Sequence, residues 1–249
     1  SIRPPLPDFQ VTVNGPKLSM PVGAGREWSV SVTRMDGMNA PITIELDGLP
    51  AGIEATQPLV VEANQIQALG TLFATEAAAE LLTKVPDADG DSQALQASQT
   101  FQVGLRATSE YQGRTIEHEL PAKWEVTVTP RTGLRLKIAS TAESAHELSE
   151  LAIRPGQTIS ARVILDRKGA TGAISFGNED SGRGLPHGAF VDNIGLNGLL
   201  IPDGQDEREF FITAAPKVKP GRFQFHLRCT SQGNPTSRPI WLNVPPLEP

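Results

Sequence analysis

The run Phe101-Gln102-Val103-Gly104-Leu105-Arg106-Ala107-Thr108-Ser109 returns as Phe223-Gln224-Phe225-His226-Leu227-Arg228-Cys229-Thr230-Ser231, with six of nine positions identical. Other landmarks recur in the same order. Gly48-Leu49-Pro50 matches Gly184-Leu185-Pro186, Leu72-Phe73-Ala74-Thr75 matches Phe210-Phe211-Ile212-Thr213, and Trp124-Glu125-Val126-Thr127-Val128 matches Ile240-Trp241-Leu242-Asn243-Val244. Ordered self-matches mark an internal duplication. The copies meet near Thr129-Pro130-Arg131-Thr132-Gly133, where a strand-like run stops at turn residues and a new one begins. The expected organisation is a linker at 1–7, one domain at 8–130, a second at 131–245 and a linker at 246–249. The proline-rich ends resemble stiff extended spacers.

Within each copy the hydrophobic period is two. Trp28, Val30 and Val32 alternate with Ser29, Ser31 and Thr33; Trp124, Val126 and Val128 alternate with Glu125, Thr127 and Thr129; Ile159, Ala161, Val163 and Leu165 alternate with Ser160, Arg162 and Ile164. Such alternation marks strands with one buried and one solvated face. Turn signals separate them at Asp36-Gly37, Asp47-Gly48-Leu49-Pro50, Lys168-Gly169 and Asp203-Gly204. Short strands at this density predict an all-β protein of two tandem immunoglobulin-like β-sandwiches. One cysteine, Cys229, excludes an intrachain disulfide, so apolar packing must hold each core. The largest contributors are expected to be Trp28 and Trp124 in the first copy and Phe223, Phe225 and Phe211 in the second.

The copies differ most between Glu76 and Ser98. The interval from Thr75 to Phe101 is 26 residues and that from Thr213 to Phe223 is 10, an excess of about 16. Glu76-Ala77-Ala78-Ala79-Glu80-Leu81-Leu82 has the composition of a short helix. Pro86-Asp87-Ala88-Asp89-Gly90-Asp91-Ser92 reads as an acidic loop whose Asp87, Asp89 and Asp91 resemble the start of a calcium site. The pattern then fails, because the sixth position is Ser92 instead of glycine and the twelfth is Ser98 instead of a bidentate glutamate. A solvated loop is the better expectation.

The remaining chemistry is sparse. With 28 acidic and 22 basic residues the net charge is −6, which disfavours a nucleic-acid partner. Neither a membrane span nor a cofactor is expected. His118, His146, His187 and His226 show no metal-binding spacing and read as surface residues. No Gly-x-Ser-x-Gly elbow or phosphate-binding glycine loop is present. Glu117 and Glu119 read as charge on a sheet edge, and catalysis is not expected. Cys229 shares its strand face with Phe223, Phe225 and Leu227 and should be a small buried hydrophobe. Trp241 is out of phase with Ile240, Leu242 and Val244, so it points outward or into an interface. With His226, Arg228 and Asn243 it forms the candidate binding face, for a protein or a polysaccharide. The alternative is contact of Trp241 with a linker or with the first domain.

Arg34-Met35-Asp36-Gly37, Pro41-Ile42-Thr43-Ile44, Gly48-Leu49-Pro50-Ala51-Gly52-Ile53 and Gly70-Thr71-Leu72-Phe73-Ala74-Thr75-Glu76-Ala77 together resemble the tandem immunoglobulin-like repeats of large exported bacterial proteins. Such repeats are common in planctomycetes and often lie near pre-peptidase-type domains. The second copy departs at Arg167-Lys168-Gly169 and after Gly184-Leu185-Pro186-His187-Gly188. The resemblance implies an extracytoplasmic spacer or adhesion role, periplasmic, in the cell envelope or secreted, and it carries over no catalytic residue. Expected partners are domains of the same parent chain or envelope proteins. A carbohydrate-binding module and an accessory domain of an exported enzyme are the alternatives. Melting the protein with and without a calcium chelator should give the same midpoint, and a midpoint lowered by chelator would establish a structural ion at the acidic loop.

Overall fold

The computed structural model describes residues 6–85, 95–141, 146–177, 181–192 and 198–246. The first half runs through β1 (Asp8–Val13), β2 (Lys17–Pro21), β3 (Gly25–Met35), β4 (Ile42–Asp47), β5 (Ile53–Ala55), β6 (Leu59–Val61), β7 (Gln67–Ala74), β8 (Thr83–Val85), β9 (Leu95–Ala97), β10 (Gln99–Tyr111) and β11 (Arg114–Thr129). The second contains β12 (Arg135–Ala139), β13 (Glu150–Ala152), β14 (Thr158–Asp166), β15 (Ile174–Ser175), β16 (Gly182–Arg183), β17 (Ala189–Val191), β18 (Leu200–Ile201), β19 (Glu207–Ala214), β20 (Gly221–Leu227) and β21 (Ile240–Val244).

Each half packs two sheets around its own apolar cluster. The first half has sheets ordered β1-β3-β7-β5 and β2-β11-β10-β4-β6, and the second has β12-β14-β19-β17 and β13-β21-β20-β16. The small ladders β8-β9 and β15-β18 stand apart. Even the parallel pairing is duplicated, β2 beside β11 and β13 beside β21. The protein is therefore an all-β chain of two immunoglobulin-like sandwiches.

The repeated nine-residue run superposes on this topology. Phe101 opposes Val126 and Phe223 opposes Leu242 at the same point of the ladder. The match of Leu72 to Phe210 is displaced by two residues, because Ala74 opposes Ile53 where Ala214 opposes Ala189. A slip of two preserves face, so the alternation could not reveal it. The inserted segment after Thr75 is longer by the same two residues, since Thr75 and Ala215 donate to the equivalent carbonyls of Gly52 and Gly188.

Trp28 and Trp124, from opposite sheets, meet in the first core with ring centroids 5.3 Å apart. Packing at this contact favours a tilted geometry over a face-to-face stack, as ring quadrupoles require. In the second core Phe225 is fully buried and Phe223 packs partly against the cluster. Phe211 does not belong there. It alternates with the buried Phe210, Ile212 and Ala214, so Phe210 and Phe176 supply the ring volume expected of it. Two adjacent phenylalanines leave strand parity ambiguous until the neighbouring strand fixes it.

Arg34 and Arg167 perform one task in the two halves. Each lies at or just past the end of the long third strand of its half, β3 or β14, and hands its guanidinium to loop carbonyls: Arg34 to Ala40, Glu62 and Gln65, Arg167 to Gly172, Pro202 and Gln205. These bonds satisfy carbonyls that no ladder reaches. The inserted segment begins with the expected short helix, a 3-10 helix at Glu76–Leu81. Thr75 supplies no side-chain cap, its hydroxyl bonding the Gly52 carbonyl, and Ala78 is buried against Gly52. Asp87, Asp89 and Asp91 lie outside the described residues.

The two Gly-Leu-Pro turns place Gly48 and Gly184 at φ of 83° and 85°. A Cβ on Gly184 would sit 2.6 Å from the Gln224 carbonyl oxygen, whereas one on Gly48 would sit 3.4 Å from that of Gln102. Alanine at Gly48 therefore meets backbone strain of about 1–3 kcal/mol, and alanine at Gly184 adds a clash with main chain. Thermal unfolding should show both variants destabilised, Gly184→Ala the more.

Candidate functional site

Strand alternation sends Glu27 away from the core side of β3, where Trp28, Val30 and Val32 point inward. It opposes Thr71 of β7, and Glu54 of β5 opposes Phe73 on the same outer face. On β20, Gln224 and His226 likewise alternate with the core residues Phe225 and Leu227. Positions of this kind are normally solvated. Here Thr71 and His226 are 0% and 1% exposed, because the outer face of each half covers that of the other.

A short backbone bridge joins the halves. Gly25 donates its N–H to the Thr236 carbonyl at 3.3 Å and accepts from the Thr236 N–H at 3.1 Å. A Cβ on Gly25 would lie 2.3 Å from Thr236 Oγ1, so the bare backbone permits the approach. Thr71 Oγ1 and Thr236 Oγ1 share a hydrogen bond of 2.5 Å beside it. Gln224 Oε1 accepts from the Gln57 N–H at 2.7 Å.

Glu27 occupies the middle of the interface. Arg183 of β16 grips it with two bonds, Nε to Oε2 at 2.7 Å and Nη2 to Oε1 at 3.0 Å. His226 Nε2 lies 3.4 Å from Oε2, and Arg228 Nη1 lies 3.5 Å from Oε1. Burial pushes the Glu27 carboxyl upward, but the bonds from His226 and Arg183 outweigh it and hold the group at about 2. For His226 burial dominates and lowers the imidazole below its ordinary value, against the pull of Glu27. Among the described residues the site therefore holds a carboxylate, two guanidiniums and a neutral imidazole.

Three further ion pairs cross the interface. Arg238 clasps Glu54 through Nε at 2.8 Å and Nη2 at 2.5 Å, with Glu147 at 3.4 Å from Nη1. Glu76, the first residue of the 3-10 helix, bonds Arg131 and Arg135, the latter at 3.0 Å, and Arg135 also holds Asp166. In each crossing pair the first half supplies the carboxylate and the second the arginine. A cleft of about 630 Å³ runs between Glu54, Phe73, Glu76, Arg135, Asp166 and Arg238. Glu54 with Arg238, and Glu76 and Asp166 with Arg135, are paired across or along it, which suits it to joining the halves.

The four residues of the predicted binding face are divided by the structure. His226 and Arg228 are turned against Glu27 in the interface. Trp241 and Asn243 remain on the outer face of β21, half-buried, where the Arg222 guanidinium lies 4.3 Å from the Trp241 ring centroid and bonds Glu150 at 2.7 Å. An arginine over the ring occupies the surface on which a sugar would stack. His226 is also a correction to the expectation of surface histidines. His146 and His187 are exposed as expected, and His118 is half-buried on Asp8 at 2.6 Å. Cys229 is buried as expected, its sulfur 3.2 Å from the Ser231 carbonyl oxygen.

Glu27, Arg183, Glu54 and Arg238 were not legible as site residues, since each sits at a position where a charge normally meets water. One signal was available. Arg183 opposes His226 at the ladder point where Asp47 opposes Gly104 in the first half. An arginine and a histidine replacing an aspartate and a glycine inside a matched repeat mark a position whose surroundings changed. Among the described residues, no group of three or more His, Cys, Asp or Glu side chains is placed to hold a metal ion, and no helix is long and apolar enough to cross a membrane.

Removing one partner of a buried ion pair leaves the other uncompensated, at a cost of about 3–5 kcal/mol. Glu27→Ala should therefore lower stability far more than Glu54→Ala, whose pair is about one-third exposed and contributes about 0–1 kcal/mol. Denaturant unfolding of the two variants gives the comparison, and equal losses would remove Glu27 from its central place.

No family model and no curated protein matches the sequence. Solved structures similar to the chain include a protein of unknown function from Porphyromonas gingivalis W83, at 11% identity and a TM-score of 0.28, covering 95% of this chain and 99% of that one. The D0-D1 domain of Intimin is similar at 10% identity and a TM-score of 0.29, with 94% and 97% covered. Domains 4 and 5 of the S-layer protein SbsC are similar at 14% identity and a TM-score of 0.29, with 96% and 98% covered.

Proposed function

We propose that the chain is a non-catalytic positioning module, a pair of immunoglobulin-like sandwiches that acts as spacer and interaction unit of a larger secreted or cell-envelope protein of the exported bacterial type. Its domains are 8–130 and 131–245, and its partners are domains of the same parent chain or envelope proteins. The observation that carries this is the Glu27 site with the Gly25–Thr236 bridge. A short covalent link, Pro130-Arg131-Thr132-Gly133, would leave two sandwiches free to swing, since domain pairs move relative to one another unless an interface restrains them. Bidentate ion pairing restrains direction as well as distance, because the guanidinium fork meets a carboxylate in few orientations. A set angle between two rigid bodies is what a spacer must supply. Carbohydrate binding at Trp241 has less support, with Arg222 over the ring and aromatic residues only 5% of the chain.

The test is the distribution of distances between spin labels on Glu117→Cys and Lys219→Cys, both exposed and one in each half, in a Cys229→Ala background that matches the counterpart Ala107. At pH 7.5 a single narrow distance is expected. A broad distribution would show the halves swinging and would overturn the positioning role.

A further inference from the structure

We infer that the joint between the halves is an acid-sensitive latch, in which protonation of His226 opposite Glu27 releases the two sandwiches without unfolding either. The inference rests on the positioning role and adds a condition under which the angle is given up.

The geometry carries it. Glu27 and His226 belong to the outer faces of their own sheets, out of phase with Trp28, Phe225 and Leu227, so neither sandwich needs them buried. The His226 side chain, 1% exposed, faces Glu27 of the other half at 3.4 Å. Separation returns both groups to water and leaves both apolar clusters closed, because those clusters are confined to one half each. Among the described residues, the charged groups that face the imidazole are Glu27 from β3, Arg183 from β16 and Arg228 from the end of its own strand. The neutral imidazole adds no charge to the joint. Protonation would place a cation on a side chain that is 1% exposed and lies between the Arg183 and Arg228 guanidiniums, and burying that charge away from water is costly.

The sign follows from linkage. His226 is held below its ordinary value in the closed form and regains it on opening, so the open form binds the extra proton and gains population as pH falls below about 6.5. Glu27, held at about 2, acts in the same direction: its contribution is complete above the ordinary carboxylate range of about 4.3 and is lost as pH falls toward 2. Acid therefore favours the open form at both groups.

The same doubly labelled chain gives the test. A reversible second, broader population is expected between pH 6.5 and pH 4, with far-ultraviolet circular dichroism and tryptophan fluorescence unchanged over that interval. His226→Gln, which cannot take up the proton, should move the midpoint down by about one pH unit or more. In the chain carrying His226, nuclear magnetic resonance of its ring should show proton uptake over the same interval as the distance change, a readout that survives if the glutamine variant fails to fold. The latch is overturned by one narrow distance persisting to pH 4, by a midpoint unmoved in His226→Gln, by His226 titrating with no change of distance, or by loss of circular dichroism at the same midpoint. A broad distribution already present at pH 7.5 is a different failure, that of the positioning role itself.

Discussion

The Glu27 carboxylate, held by Arg183 and approached by His226 and Arg228, is the constraint on which the arrangement of the two halves depends. Burying a carboxylate is unfavourable unless its lone pairs are filled by well-placed donors. The two-point grip of Arg183 fills them, and the remaining contacts sit around it. Thr71, Thr236 and the Gly25 backbone then close the interface over a polar seam in which hydroxyls and main chain find partners. Such a seam contributes more to orientation than to stability. An apolar patch tolerates sliding, whereas displaced ion pairs leave charges without partners.

Duplication built the sandwiches but not the joint. Glu27 opposes Thr71 where Ser160 opposes Phe211 in the second half, and Arg183 opposite His226 stands where Asp47 stands opposite Gly104. Neither half repeats the charge pattern of the other. The contact is therefore specific to this order of halves, as a head-to-tail contact between unlike faces must be. The Glu76 ion pairs extend the same asymmetry, since the 3-10 helix that positions Glu76 belongs to the segment by which the first half is longer.

Much of the fold was legible because period-two alternation, turn residues and a self-match constrain a sandwich from several directions at once. The Gly-Leu-Pro turns were legible for the same reason, as glycine at φ of 83° and 85° is a local requirement that sequence displays directly. The two-residue slip at Leu72 and the misplaced Phe211 came from the one ambiguity that alternation allows. Parity and register within a run of apolar residues are settled by the strand alongside.

The sequence by itself determined most of the residues that face each core, where the chain turns and that one module occurs twice, because these follow from the two-residue pleat and local backbone preference. Only the tertiary structure decided the fate of the opposite faces. Glu27, Gln224, His226 and Arg228 all occupy positions that alternation assigns to water, and the opposing half covers them. Whether an outward side chain meets solvent or another domain depends on contacts between residues more than a hundred positions apart, such as Arg183 with Glu27 and Arg238 with Glu54. No local pattern encodes a contact of that range.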